Sequence, residues 1–548
     1  MRTNQNVTGI PDQINTGVIH MKKKLAVFLV CALFLCVLSA CGQDDYQADM
    51  DFTYILPQTV TSLDPQTAKN QSEKMMITAI FEGLCRLDET GQVIPGSAEK
   101  WESNEDYTEF TFYLRKNACW SENTPLTAYD YLYGIQRALM PSTGATAVED
   151  LFIIRGASAV RSGEADMDTL GVEVLDEHTI RFYLENSYSD FPKLTAGVRY
   201  MPCNEEFFLS TGGKYGLECL STLTNGPFTF ATNYSWYKGE YIQLARTVNY
   251  YGEHKTVPAS LKMIMKYDAA LSADPLSSLY SGRLDLLRIT ENQVAAVQEK
   301  GCEVITLNDS VCGFLINTDD SLLEDIGLRE VLTKTIDREA LIGRIGQEKV
   351  EATGIVPRCV KWNGSSYRKG GEIMFTLQDD TVINNLPGIL EPLELTKMPS
   401  ITVICPDDEL SREIATGLIV SWNKKLKNSF NIAPLDAETY QSRIESGNYQ
   451  AAVYNLSANG TSPVSVLGSF SSSATPMILG SETYDEELKN SAFNMESYHA
   501  LEETIMNKYI FYPVCYTSTH YAVSPFVKGV TVTPDSGADF SQAYKRVT

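Results

Sequence analysis

Histidine is scarce in this chain: five in 548 residues, at His20, His178, His254, His499 and His520, all far apart. That leaves little for acid–base catalysis or a zinc centre, because imidazole is the near-neutral proton carrier and the commonest metal ligand. A GxSxG nucleophile elbow, a phosphate-binding glycine loop and an HExxH pair are also missing. These absences argue against an enzyme and against a bound metal or cofactor. No CxxC occurs, and the nine cysteines after Cys41 are an odd number, so no disulfide framework can be read. Most sit among apolar neighbours, as in Val311-Cys312-Gly313-Phe314, and read as small core residues. Cys203 and Cys219 are the pair that could bridge a loop. Positive charge is short too: 45 Lys and Arg face 69 Asp and Glu, a formal net charge of -24. The first forty residues carry Arg2, three lysines and Asp12, so without them the balance is about -27. Such a surface repels phosphate backbones and excludes nucleic acid as a partner.

Long apolar runs are lacking but for one, Leu25 to Leu38, which follows Lys22-Lys23-Lys24 and ends at Leu38-Ser39-Ala40-Cys41. A basic stretch, a core of about 14 apolar residues and a small-residue end describe an export signal rather than a membrane span. Residues 1–40 are therefore read as the signal peptide, with Met21 the better start and 21–40 the working part. Leu-Ser-Ala-Cys resembles a lipobox, which implies diacylation of Cys41 and a lipid anchor on the outer face of the cytoplasmic membrane. Residues 41–51 read as an acidic tether. The remaining roughly 500 residues are too many for one core and imply two or three lobes.

The pattern is mixed α/β. Phe110, Phe112 and Leu114 alternate with other residues, as do Ile180, Phe182 and Leu184, which predicts strands buried on one face. Asp274-Pro275 starts a helix that Gly282 ends, and a strand runs from Leu284 to Ile289. Thr290 to Gln293 fits a capping box, Val294 and Val297 supply an apolar stripe, Gly301 closes the helix, and a strand returns from Cys302 to Leu307. This predicts a crossover unit. Ile326 to Ile342 and Ile414 to Leu426 are expected as amphipathic helices; Ile401 to Cys405, Ala451 to Leu456 and Tyr512 to Val523 as strands. In Asn225-Gly226-Pro227 a turn is expected, with glycine taking positive φ. Trp101 and Trp120 are expected in the core.

A series of short motifs then carries a resemblance. In order they are Ser62-Leu63-Asp64-Pro65, Ile80-Phe81-Glu82-Gly83-Leu84, Pro95 to Trp101, Phe112 to Ser121 and Thr124 to Asp130. There follow Thr224 to Phe228, Arg246 to Tyr251, Tyr280 to Asp285, Leu328 to Leu332, Ile336 to Glu339, Tyr512 to Val514 and Val527 to Gly529. Their common order over roughly residues 52–535 resembles the oligopeptide-binding branch of the solute-binding proteins that serve ABC importers (family 5). The resemblance implies a bilobal periplasmic-binding-protein-like fold of type II, in a three-lobe variant with a hinged cleft. Lobe I would be built from 46–81, 219–312 and 516–548, an inserted lobe II from 82–218, and lobe III from 313–515. The chain crossings near Cys312 and Tyr516 would form the hinge.

It also implies the function: capture of an extended oligopeptide between lobes and delivery to an ABC permease with its ATPase, by a monomer. The segment from Tyr449 to Pro463 resembles the strand and loop that pair with the ligand's main chain. Asn459 occupies the position where many peptide binders carry an aspartate that meets the ligand's ammonium. An amide there weakens that contact, since a hydrogen bond to a charged partner contributes roughly 1.5–3 kcal/mol and a neutral one about 0.5–1.5. Leu456 stands where an aromatic is frequent, and Ser457 and Gly460 complete this wall. Lys69 and Gln71 are expected opposite, with Thr517 near the last hinge crossing. Other readings of the same fold are a peptide pheromone or signal receptor, or a binder of metal, haem or another small solute.

Overall fold

The computed structural model describes residues 46–47 and 50–546, except 89, 254, 267–270, 272, 347–348, 369–377, 429, 459, 461, 475–477 and 492. The signal segment 1–40, Cys41 and Asn459 thus lie outside the described residues. Residues Ala48–Tyr544 form one compact unit. Of the other unit, Tyr46 and Gln47 pair antiparallel with Arg546 and Lys545.

The large unit is organised by an eleven-stranded sheet among the described residues. Its main strands are β1 (Asp51–Ile55), β2 (Tyr241–Arg246), β3 (Ser260–Ile264), β4 (Leu286–Ile289) and β5 (Glu303–Ile316). Next come β6 (Thr402–Pro406), β7 (Asn431–Leu435), β8 (Ala451–Ser457) and β9 (Phe511–Val523). In space the order is β2-β3-β1-β4-β9-β5-β8-β6-β7, with two short strands on the far edge of β2. The crossover predicted after β4 is present, with β9 inserted between β4 and β5, which makes those two strands parallel to each other. Its capping box is formed: the Thr290 N–H donates to Gln293 Oε1 at 2.9 Å. Gly282 and Gly301 both take left-handed φ, 71° and 82°, where a Cβ would be strained.

β5 and β9 are far longer than the mean strand because they run through the whole sheet. Their ladder is interrupted twice: Leu307 pairs Thr519 but Ser310 pairs Thr517, and Cys312 pairs Cys515 but Gly313 pairs Pro513. One extra residue therefore sits on β5 and one on β9, and the two bulges offset each other's register. Pro513 has no N–H to give to the ladder, which explains its position at the second irregularity. The freed backbone of the first bulge is used elsewhere, since Asn308 O accepts from Cys359 N at 3.1 Å and Asp309 O from Ala458 N at 2.8 Å.

A separate four-stranded antiparallel sheet is built from Ala98–Ser103, Glu109–Leu114, Thr179–Tyr183 and Val172–Asp176, in that order. Phe110, Phe112, Leu114, Ile180, Phe182 and Leu184 are buried as the alternation predicts, and Phe112, Phe182 and Phe191 meet with centroids 5.2–6.1 Å apart. One apolar cluster is drawn wholly from residues 312–515 and centres on Trp422, whose indole N–H donates to Leu332 O at 2.8 Å. Another runs from Phe52 to Ala543 and includes Trp362 and Phe493, both packed against the ring of Tyr188.

Several expectations need correction. The helix predicted over 326–342 is two, Ile326–Lys334 and Arg338–Ile345; Asp337 caps the second by accepting from Ala340 N at 3.1 Å, which overrides the continuous apolar period. Gly226 does not take positive φ; glycine is required because a Cβ there would lie 2.5 Å from the backbone carbon of Ile80. Cys203 and Cys219 are both free thiols, and Cys203 instead accepts from Arg137. Trp120 is buried as expected, whereas Trp101 is only half-buried.

Candidate functional site

β8 is paired on one side with β5 along its whole length, but on the other with β6 only at Ala451 and Ala452. At Val453 the carbonyl accepts the Tyr440 hydroxyl at 2.7 Å. From Tyr454 to Ser457 the second edge has no strand partner among the described residues. An unpaired edge of this kind is a template for an added strand. Proceeding outward, Leu456 is 2 % exposed, so its side chain belongs to the core and only its main chain is on offer.

At the level of the first bulge a polar row crosses the sheet. Ser310 is opposite both Ser457 and Thr517; its hydroxyl lies 2.9 Å from that of Ser457, and the Thr517 hydroxyl donates to Asn455 Oδ1 at 2.7 Å. The structure thus brings Ser457 and Thr517 together through two residues that the motifs did not single out, Ser310 and Asn455. Burial pushes the neighbouring Asp309 carboxyl upward, an effect opposed by donors from Thr519 and Ser310. Lys69 is exposed, and its N–H donates to Glu73 Oε2 at 2.8 Å; Gln71 opens the helix Gln71–Ile80, which Asn70 caps. Neither makes a hydrogen bond to Ser457 or Thr517 among the described residues.

Gly460, after β8, lines a small pocket together with Lys74, Asp150, Lys193, Arg199 and Asp535. Gly460 sits close beneath the following turn, and a Cβ on it would lie 3.0 Å from Ser465 Cβ and 3.8 Å from Asp150 Oδ2. Asp150 Oδ1 accepts the Ser462 hydroxyl at 2.7 Å, a bond that joins residues 312 positions apart. Burial pushes the Asp150 carboxyl above the usual carboxylate range, with the Ser462 bond working against it. Burial likewise lowers Lys74, which Asp535 opposes from 3.8 Å, and lowers Lys193, which the charge of Asp190 opposes. The Arg199 guanidinium donates to four carbonyls: Pro65 at 2.9 Å, Ala68 and Thr146 at 2.7 Å, and Ala147 at 3.3 Å.

Of these five charged residues none stands out from sequence. The available signal is weak but real: Glu149-Asp150 and Lys193 each interrupt an apolar run, Val148 to Phe152 and Phe191 to Leu194. No group of three or more His, Cys, Asp or Glu that could hold a metal is found among the described residues.

Residues 92–477 match the family described as bacterial extracellular solute-binding proteins, family 5 (middle), and the chain belongs to that family. It is 24% identical over 479 residues to the oligopeptide-binding protein OppA of Bacillus subtilis, covering 82% of this chain and 84% of the relative. Among solved structures, Listeria monocytogenes OppA bound to peptide superposes with a TM-score of 0.73 at 19% identity, covering 92% of this chain and all of that one. The murein tripeptide-binding protein MppA of Escherichia coli gives a TM-score of 0.71 at 22% identity, covering 92% of this chain and 100% of that one. Its unliganded open form gives 0.56 at 21% identity, covering 91% and 98%. The fold is therefore that of these bilobal binding proteins.

Proposed function

We propose that this protein captures peptides in extended form between lobes and hands them to an ABC importer. The observation that carries the reading is the half-open edge of β8 from Tyr454 to Ser457. A peptide laid along Tyr454–Ser457 would be held chiefly by its main chain, which gives affinity without sequence preference. Ser457, Asn459, Gly460 and the Leu456 main chain would form one wall, with Thr517, Lys69 and Gln71 on others. The amide of Asn459 would contribute less to an ammonium than a carboxylate does. The family and its named relatives are binding proteins rather than enzymes, which fits the scarcity of catalytic groups.

In this reading residues 46–81, 219–312 and 516–548 form the first lobe, 82–218 the inserted lobe and 313–515 the third. The offset bulges on β5 and β9 act as the hinge, because they are where the two long strands lose regular pairing. Ligand favours closure since only the closed state touches it from both sides. The signal peptide directs export and is removed before Cys41, whose lipid then tethers a monomer outside the cytoplasmic membrane. Native mass spectrometry of gently purified protein tests the proposal. Peptide-sized adducts, exchangeable for an added peptide mixture, are expected; a bare chain that acquires no peptide from any mixture would contradict it.

A further inference from the structure

Residues 82–218 and 313–515 meet at a hairpin that no motif singled out. Lys361–Trp362 and Ser365–Ser366 pair antiparallel across Asn363-Gly364. Both turn residues take left-handed φ, 47° and 72°, as a two-residue hairpin turn of type I′ requires and Asn-Gly supplies most readily. From Lys361 to Ser366 only Trp362 is buried. The tip is bound to the segment Tyr188–Asp190: Asn363 Oδ1 accepts from Ser189 N at 3.0 Å and from the Ser189 hydroxyl at 3.2 Å, and the Gly364 N–H donates to Asp190 Oδ2 at 2.8 Å. Beside these bonds the Tyr188 ring, 1 % exposed, packs against Trp362 with centroids 5.0 Å apart and against Phe493 at 5.4 Å. Trp362, Phe493 and Tyr498 also pack on one another at 5.6–6.4 Å. The socket thus comes wholly from 313–515, and the ring that fills it comes from 82–218.

We propose that this hairpin is a latch between the inserted and third lobes, in which Tyr188, Trp362 and Asn363 are positioning residues that favour closure without touching the ligand. The inference rests on the peptide-capture reading and its division into lobes. Parting the two lobes breaks the three hydrogen bonds and uncovers the faces of Tyr188 and Trp362, so the contact stabilises the closed state alone. Bonds from Ser462 to Asp150, Ser473 to Glu149 and Lys489 to Glu164 join the same two segments, so weakening the latch loosens closure and does not abolish it. Apparent affinity scales with the fraction of molecules that is competent to bind. A weaker latch therefore lowers affinity for every peptide by one common factor. Loss of a residue that touches the ligand would instead change the order of preference among peptides.

The test uses the whole protein as wild type, Asn363→Gly and Tyr188→Leu, with calorimetry on a panel of synthetic tri- to pentapeptides. Asn363→Gly keeps a residue at ease with positive φ but removes the acceptor for Ser189, and Tyr188→Leu takes the ring out of its socket. Affinity for every peptide that binds the wild type is expected to fall by one common factor, with the order of peptides unchanged. That factor should be about three- to tenfold in Asn363→Gly and about ten- to hundredfold in Tyr188→Leu. Solution scattering should show a larger ligand-free radius of gyration for both variants than for wild type. Wild-type affinities in both variants, or a reordered panel, would overturn the inference and leave peptide capture standing. Should Tyr188→Leu fail to fold, the wild-type chain still decides. Hydrogen exchange at the Ser189 and Gly364 amides is expected to slow when peptide is added. Exchange there that ignores a bound peptide would mean a permanent joint, not a latch, and would overturn the inference. If no peptide binds the wild type, peptide capture fails; equal ligand-free radii for wild type and Asn363→Gly would then overturn the latch as well.

Discussion

Two charge clusters, one buried around Arg137 and one part-buried around Asp150, are wired in different ways. Arg137 meets Asp64 through two bonds of 2.8 and 3.2 Å, donates to Gln66 Oε1 at 2.6 Å, and stacks on Phe208 at 3.9 Å. Asp64 in turn caps the turn at Pro65 by accepting from Gln66 N at 3.1 Å. Around the pocket, Asp150 accepts the Ser462 hydroxyl and feels Lys74 and Arg199 only through space, as Lys193 feels Asp190. A charge matched by direct bonds helps to hold the chain together; one matched only through space contributes far less.

Stripping the paired cluster should have the gravest consequence. Arg137→Met leaves Asp64 buried without its cation and should cost about 3–5 kcal/mol, read as a lower urea midpoint. A midpoint close to wild type would erase the contrast between the two clusters. Asp150→Asn should have a much smaller effect, leaving the protein unchanged or up to about 1 kcal/mol more stable. Thr517→Val is the mildest of the three. It removes a neutral, half-exposed bond to Asn455 and should cost about 0.5 kcal/mol while weakening ligand only slightly.

The stability difference at Asp150 should fade with acid. Burial raises the folded-state pKa of Asp150 above its unfolded value of about 3.9, so as pH falls the folded form takes up a proton before the unfolded one does. Wild-type stability relative to Asp150→Asn therefore rises as pH drops through the raised pKa, and the change is complete near the unfolded value. Parallel urea titrations of the two proteins check it; a gap that ignores pH would mean that Asp150 is not the desolvated charge described above.

How much is legible in the sequence depends on how local the cause is. The capping box at Thr290–Gln293 and the end at Gly301 are decided within a few residues, and both are present where the sequence puts them. The helix break at Thr335–Asp337 escapes the pattern because the apolar spacing runs straight across it. The bulges of β5 and β9 depend on a pairing between strands some two hundred residues apart, which no single segment encodes. The site divides the same way: the motif around β8 points to the open edge, whereas the pocket gathers Lys74, Asp150, Lys193 and Asp535 from four distant segments. Ser310 becomes visible only through its place opposite both Ser457 and Thr517.

Whether β8 receives the peptide as an added strand can be read from hydrogen exchange, with and without a saturating mixture of short peptides. Slowed exchange of amides within Tyr454–Ser457 on peptide addition is predicted, as an added strand would protect them. Unchanged exchange there, with protection appearing only in other parts of the protein, would contradict capture along this edge.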